Sequence, residues 1–165
     1  MQAGDTLLVR GGSSTVGLMS IELGKMLGAT VLATTRNPNK VAKMQEIGAD
    51  HVLIDDGKIA AKVHPIIPEG VAKALELVGT TTLFDTFSAV AAGGRVCFTG
   101  GLGGGWIIEH FSPFMIPAGK LLTSYAGQAK DLPAKIFDQV LAEVANKELT
   151  VPIAKVYHGL DQVGA

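Results

Sequence analysis

Gly11, Ser14 and Gly17 lie three residues apart in the run Leu7–Gly17, LLVRGGSSTVG. An apolar stretch ends there in a turn of small residues, and the turn opens into a helical pattern. Residues of these types in this order are suited to hold a pyrophosphate. The first amides of a helix have no intrahelical acceptor and point at whatever lies beyond the helix end. Glycine lets a phosphate approach the backbone with no Cβ in the way. On this reading Gly11, Ser14, Thr15 and Val16 hold the anion. The spacing is Gly-x-x-Ser-x-x-Gly rather than Gly-x-Gly-x-x-Gly, so taken alone the turn fits a plain tight βα loop equally well.

The surrounding elements decide between the two. Val16, Met19, Ser20, Leu23, Met26 and Leu27 recur at helical spacing, which predicts a helix over Thr15–Leu27 with that face buried. Gly28 stops it, and a second apolar run begins at Thr30. The result is a βαβ unit of the length that a dinucleotide site needs.

The same alternation continues to the C-terminus. Strands are expected at Thr6–Arg10, Thr30–Thr34, His51–Ile54, Ala72–Leu77, Arg95–Thr99 and Lys120–Ser124, with a last one near Ile153–Tyr157. Helices are expected at Thr15–Leu27, Pro38–Ile47, Thr81–Ala92 and Leu132–Asn146. Asn37 with Pro38 would cap the second helix and Gly48 would end it. Gly79-Thr80 would start the third. Asp131 would cap the last, which would bury Ile136, Phe137, Val140, Leu141 and Val144. Near-continuous apolar strands alternating with helices predict an α/β, Rossmann-type, doubly wound and mostly parallel six-stranded sheet with helices on both faces.

Composition excludes several classes of function. The 165 residues are 47% hydrophobic and 18% charged, with net charge −1. No basic surface suited to nucleic acid is expected. No apolar run approaches the roughly 20 residues of a membrane span. The start, MQAGD, lacks the basic and apolar regions of a signal peptide. These features place the chain in the cytoplasm. The single cysteine, Cys97, rules out an internal disulfide or a cysteine-cluster zinc site. It sits mid-strand and is expected to pack as a small hydrophobe. His51, His64, His110 and His158 are scattered without ligand spacing, so no metal is expected. No Tyr-x-x-x-Lys pair and no Gly-x-Ser-x-Gly elbow are present.

The end of the second strand distinguishes NAD from NADP. An NAD site places an acid there to bind the ribose 2′-hydroxyl. This chain reads Ala33-Thr34-Thr35-Arg36-Asn37-Pro38-Asn39-Lys40, with Thr35 where the acid is expected. A lysine in the first turn of a helix opposes the helix dipole, and a bound phosphate reverses that sign. Thr35, Arg36 and Lys40 therefore point to the 2′-phosphate of NADP. Asp55 and Asp56 lie after the third strand; they read as a solvated turn, although two carboxylates near a 2′-phosphate would weaken its binding.

The combined pattern, GDTLLVRGGSSTVG, GATVLATTRNPNK, EIGADHVLIDD, LELVG and GGRVCFTGG, resembles the nucleotide-binding domain of the medium-chain dehydrogenase/reductase superfamily. Within it the chain is most similar to the zinc-independent quinone oxidoreductases related to zeta-crystallin. The resemblance covers nearly the whole chain. It implies an NADP(H)-dependent oxidoreductase acting on a small quinone or enone. It also implies that Val78, Gly79, Thr99, Gly100 and Gly101 line the ribose and nicotinamide end. Two departures stand out: Ser14 replaces the family's middle glycine, and Asp55-Asp56 replace a tyrosine near the adenosine. No catalytic acid or base is read from the sequence. Members of the family carry a catalytic domain before this fold, so residues 1–165 are expected to be one cofactor domain of a longer enzyme, inactive alone. Two alternatives stay open: the cofactor domain of a zinc alcohol dehydrogenase, and a non-catalytic NADP-binding or structural module. Gly100–Gly105 with Trp106 reads as a flexible connection or as a lid over the nicotinamide. The resemblance further implies a homodimer joined through an edge strand at Lys120–Tyr125.

Overall fold

The apolar runs form strands at Thr6–Arg10 (β1), Thr30–Thr35 (β2), His51–Ile54 (β3), Val71–Glu76 (β4), Val90–Phe98 (β5) and Leu121–Ser124 (β6). The computed structural model describes residues 1–153 and 155–162, the side chain of Ala129 apart. Helices occupy Thr15–Met26 (α1), Val41–Glu46 (α2), Ala60–Val63 (α3), Leu83–Ala89 (α4) and Ala134–Ala145 (α5). The strands make one six-stranded sheet in the order β3-β2-β1-β4-β5-β6, and every neighbouring pair is parallel. The order reverses at β1, whose neighbours are β2 and β4. Loops leaving β1 and β4 therefore diverge and open a crevice at the carboxyl ends of the strands, where such sheets bind ligands.

Strand pleating divides the core between two faces. Leu8, Leu32, Ala74 and Val96 pack with Val63 of α3 and Leu83 and Phe87 of α4. Leu7, Val9, Val31 and Ala33 pack with Ile21 of α1 and Met44 of α2 on the other side. Helices on both faces bury the central strands β1 and β2 almost completely, which is why they read as near-continuous apolar runs, whereas β3, β5 and β6 keep exposed positions.

Helix α1 ends as predicted. Gly28 at φ +77° donates to Lys25 O at 2.9 Å, and Ala29 donates to Gly24 O at 3.0 Å, the paired bonds of a Schellman cap. Its buried face is not the predicted one. Gly17, Ile21 and Gly24 face the core, whereas Val16, Met26 and Leu27 are exposed. Small residues win this face because the helix lies too close for long ones. A Cβ on Gly24 would meet Val31 and Leu7 side chains at 3.0 and 3.1 Å, and one on Gly17 would stand 2.5 Å from Gly11 O. Because backbone cannot yield as a side chain does, Gly17→Ala should cost about 1–3 kcal/mol. Thermal unfolding followed by circular dichroism checks this, and an unshifted midpoint would contradict the close packing.

Other expectations are corrected. Pro38–Lys40 form a 3₁₀ turn before α2, capped by Asn37 Oδ1 accepting from Asn39 N at 3.0 Å. Helix α4 begins only at Leu83 and stops at Ala89; Val90–Ala92 belong to β5, whose register on β4 shifts between Val71 and Lys73. Gly79-Thr80 make the turn before it, with Thr82 N donating to Gly79 O. Asp131 accepts from Gln128 N within its own turn, and the α5 cap position is Pro133. The α5 stripe is not buried: Ile136, Phe137 and Leu141 are exposed. Residues 151–153 and 155–157 form no strand, and Ala154, inside the expected last strand, lies outside the described residues. The structure adds the short α3, which the sequence reading did not include.

Candidate functional site

Three charges at strand ends, Arg10, Asp55 and Glu76, and a fourth in α4, Asp85, build the floor of the crevice. Arg10, the last residue of β1, is completely buried. Its Nε and Nη2 donate to Asp55 Oδ2 and Oδ1, both at 2.9 Å. Its Nη1 reaches Asp85 Oδ2 at 2.7 Å, Thr82 O at 3.0 Å and Thr86 Oγ at 3.0 Å. Glu76, the last residue of β4, is also completely buried. It accepts from Val78 N, Gly79 N, Thr82 Oγ and Thr86 Oγ. This network ties β1, β3, β4 and α4 together beneath the glycine turn. Sequence reading missed Arg10, Glu76 and Asp85, because single charges inside apolar runs do not reveal their partners. Asp55 is not in a solvated turn. Burial pushes its carboxyl up, but the hydrogen bonds from Arg10 and Gly57 and the Arg10 charge outweigh burial and hold it below the usual carboxylate range.

The glycine turn folds tightly above this floor. Ser14 N–H and Oγ–H both donate to Gly11 O, at 3.1 and 2.8 Å. Ser14 Oγ also accepts from Gly17 N at 3.1 Å, as an N-cap does. The hydroxyl that Ser14 was expected to offer a phosphate is thus spent inside the turn, as is its amide. Among the described residues the amides of Ser13, Thr15 and Val16 have no acceptor, so these remain for an anion.

A cleft of about 680 Å³ opens from the turn along the ends of β2 and β3. Of the sequence-predicted residues, Gly11, Ser14, Thr35, Arg36, Lys40 and Val78 line it together. Ser13, Thr34, Asp55 and Asp56 complete this end. Thr35 Oγ–H donates to Ser13 Oγ at 3.2 Å, which aims the Ser13 hydroxyl proton elsewhere. Asp56 is paired with Lys62 at 2.8 Å. Arg36 and Lys40 are exposed and form no ion pair among the described residues. Two unpaired cations at the mouth of a cleft make it attractive to an anion.

Thr15, Val16, Gly79, Thr99, Gly100 and Gly101 are not among the residues that line this cleft. The Gly100–Gly105 backbone packs directly against Gly79. Leu102 N donates to Leu77 O at 3.0 Å, Gly103 N to Val78 O at 2.7 Å, and Thr80 N to Gly105 O at 3.1 Å. The segment is therefore hydrogen-bonded along the end of β4, neither a slack connection nor an open lid. Leu102 and Gly103 supply the wall instead. The Trp106 indole lies against Gly101, where a Cβ would collide with it. A second, apolar cavity of about 560 Å³ borders Thr80 and Trp106, with Phe98, Phe111 and Leu122 in its walls. Cys97 is half-buried, with Sγ 3.3 Å from Thr99 Oγ.

A family model described as zinc-binding dehydrogenase matches residues 15–145. The chain belongs to the zinc-binding dehydrogenase family. It is of the nucleotide-binding type found in the medium-chain dehydrogenase/reductases. A probable quinone oxidoreductase of Leishmania amazonensis is 26% identical over 178 residues, covering 99% of this chain and 52% of that protein. The quinone oxidoreductase of Pseudomonas syringae pv. tomato DC3000 superposes with a TM-score of 0.81 at 19% identity, over 91% of this chain and 48% of the other. A mycobacterial protein crystallised with NADPH gives a TM-score of 0.80 at 22% identity, over 93% of this chain and 50% of that one. The two superpositions establish the shared fold. The chain spans about half the length of these relatives. Despite the name of the dehydrogenase family, no group of three or more His, Cys, Asp or Glu among the described residues is placed to hold a metal.

The residues present fit a dinucleotide phosphate. Free amides stand at the start of α1, the Gly17 position bears no Cβ against the turn, and Arg36 and Lys40 face the cleft unpaired. No carboxylate stands at Thr35, and the one beside it, Asp55, is fully engaged.

Proposed function

We propose that the chain is the NADP(H)-binding domain of an oxidoreductase that transfers hydride between nicotinamide and a quinone or enone carbonyl compound. The observation that carries this is the cation pair Arg36 and Lys40, unpaired beside Thr35 in the cleft that begins at the glycine turn. The bound cofactor supplies the hydride. The protein's part is to bind, orient and keep water out. The amides of Thr15 and Val16 at the start of α1 hold the pyrophosphate, with Ser13 N–H in place of the Ser14 donors. Arg36, Lys40 and the Ser13 hydroxyl hold the 2′-phosphate. Gly79, Thr99, Gly100 and Gly101 form the backbone beneath the ribose and nicotinamide end. Among the described residues no helix is long and apolar enough to cross a membrane.

Lys40→Ala should cost NADPH about 1–3 kcal/mol, the scale of a charge-assisted hydrogen bond, and leave NADH nearly unaffected. Equal losses for the two, measured by calorimetry, would remove Lys40 from the 2′-phosphate site.

The edge of the sheet supports a homodimer in the same reading. Among the described residues β6 pairs only with β5, its Leu121 is exposed, and the flanking Tyr125 is exposed as well. An unblocked edge strand with apolar side chains pairs readily with its own copy. Sedimentation equilibrium should give twice the chain mass; a monomer at high micromolar concentration would contradict this edge.

A further inference from the structure

Arg10 sits one residue before the glycine turn, and its side chain points away from the cleft into the floor. Three of its five N–H groups have carboxylate acceptors. The Asp55 carboxylate that lines the cleft is filled from all sides. Besides the two Arg10 bonds it accepts from Gly57 N at 2.9 Å and Thr34 Oγ at 3.3 Å. A carboxylate has about four lone-pair sites, so Asp55 has none left for a ribose hydroxyl. Thr34 Oγ in turn accepts from Gly11 N at 3.0 Å. The chain Arg10–Asp55–Thr34–Gly11 therefore runs from the buried guanidinium to the first residue of the phosphate turn. On its other side Arg10 holds Asp85, which accepts from Ile59 N at 2.8 Å and so fixes the segment that follows Asp55.

We propose that Arg10 is a positioning residue for cofactor choice. By holding Asp55 from beneath, it cancels the half-buried carboxylate in the cleft wall and denies it to a ribose hydroxyl, so that the cleft selects a 2′-phosphate. This rests on the NADP(H) reading above. Without Arg10, Asp55 keeps its place at the end of β3 but regains a free charge and free lone pairs. It then repels a phosphate dianion and offers a ribose hydroxyl an acceptor in the cleft wall.

The test is calorimetric titration of the 165-residue chain with NADPH and with NADH. It is repeated on Arg10→Met, on Arg10→Met combined with Asp55→Asn, and on Arg10→Lys, with folding checked by circular dichroism. The wild-type chain should prefer NADPH. Arg10→Met should reduce that preference about tenfold or more, as expected for an uncancelled charge in the wall of the cleft. Adding Asp55→Asn should restore the ratio, because both charges are then gone. Equal weakening of the two cofactors, or a ratio that Asp55→Asn does not restore, would reduce Arg10 to a structural residue. If Arg10→Met does not fold, Arg10→Lys decides. It keeps the charge but cannot span both carboxylate oxygens, so the preference should fall and Asp55→Asn should restore it; an unchanged preference overturns the proposal. A wild-type chain without NADPH preference would instead overturn the cofactor reading itself, which separates the two failures.

Discussion

Replacing Thr35 by aspartate is expected to turn the cleft from NADPH toward NADH. Thr35 is buried at the end of β2, with its hydroxyl between Ser13 Oγ and Asn37 N. A carboxylate there would face any phosphate held by Arg36 and Lys40. It would also neutralise part of their charge, and it would offer the ribose 2′-hydroxyl the acceptor that Asp55 cannot give. NADPH should lose about 2–3 kcal/mol, the cost of placing a like charge beside a charged hydrogen-bonded group. NADH should gain. The two effects have opposite sign, so general damage to the fold cannot imitate them. A variant that binds both cofactors as the wild type does would remove position 35 from the ribose.

Glu76→Ala should give the largest loss of stability. The side chain is completely buried and accepts four hydrogen bonds, from two amides and two hydroxyls. Truncation leaves those donors without partners and removes one of the carboxylates that balance Arg10 across Thr86. The cost should be about 3–5 kcal/mol, as for deleting one member of a buried charged set. Urea unfolding measures it, and Glu76→Gln, which keeps part of the acceptor set, should lose less. A midpoint unchanged in Glu76→Ala would mean that the network does not hold the floor of the cleft.

Much of the fold could be read from local pattern. β1 and β3 match their expected bounds, and β2, β4 and β6 differ by a residue, because a buried parallel strand flanked by turn residues leaves a clear mark. Asn37, Gly28 and Gly48 do what their types suggest, since caps and positive φ are decided locally. What failed depended on neighbours distant in sequence. The wrong α1 face was expected because periodicity weights large apolar residues, whereas contact with the Gly11-Gly12 turn favours glycine at 17 and contact with β1 and β2 favours it at 24. Val90–Ala92 suit a helix as well as a strand, and pairing with β4 decides for the strand. The α5 stripe has helical spacing, but nothing in the described residues buries it.

The candidate site divides the same way. Arg36, Lys40 and Thr35 were readable because their position relative to the glycine turn is fixed by one βαβ unit. The role of Asp55 was not, because its partner Arg10 stands 45 residues away. Nor were the Ser14 donors, whose use depends on how far the turn folds back on Gly11. The glycine-rich run at 100–105 read as flexible, but its backbone is bonded to Leu77 and Val78.

The measurement that bears most directly on the central claim is calorimetric titration of the unmodified chain with NADPH and NADH under the same conditions. The cleft described above predicts that NADPH binds, and binds more tightly than NADH, with a preference that weakens as salt screens Arg36 and Lys40. Binding of neither, or tighter binding of NADH, would contradict it.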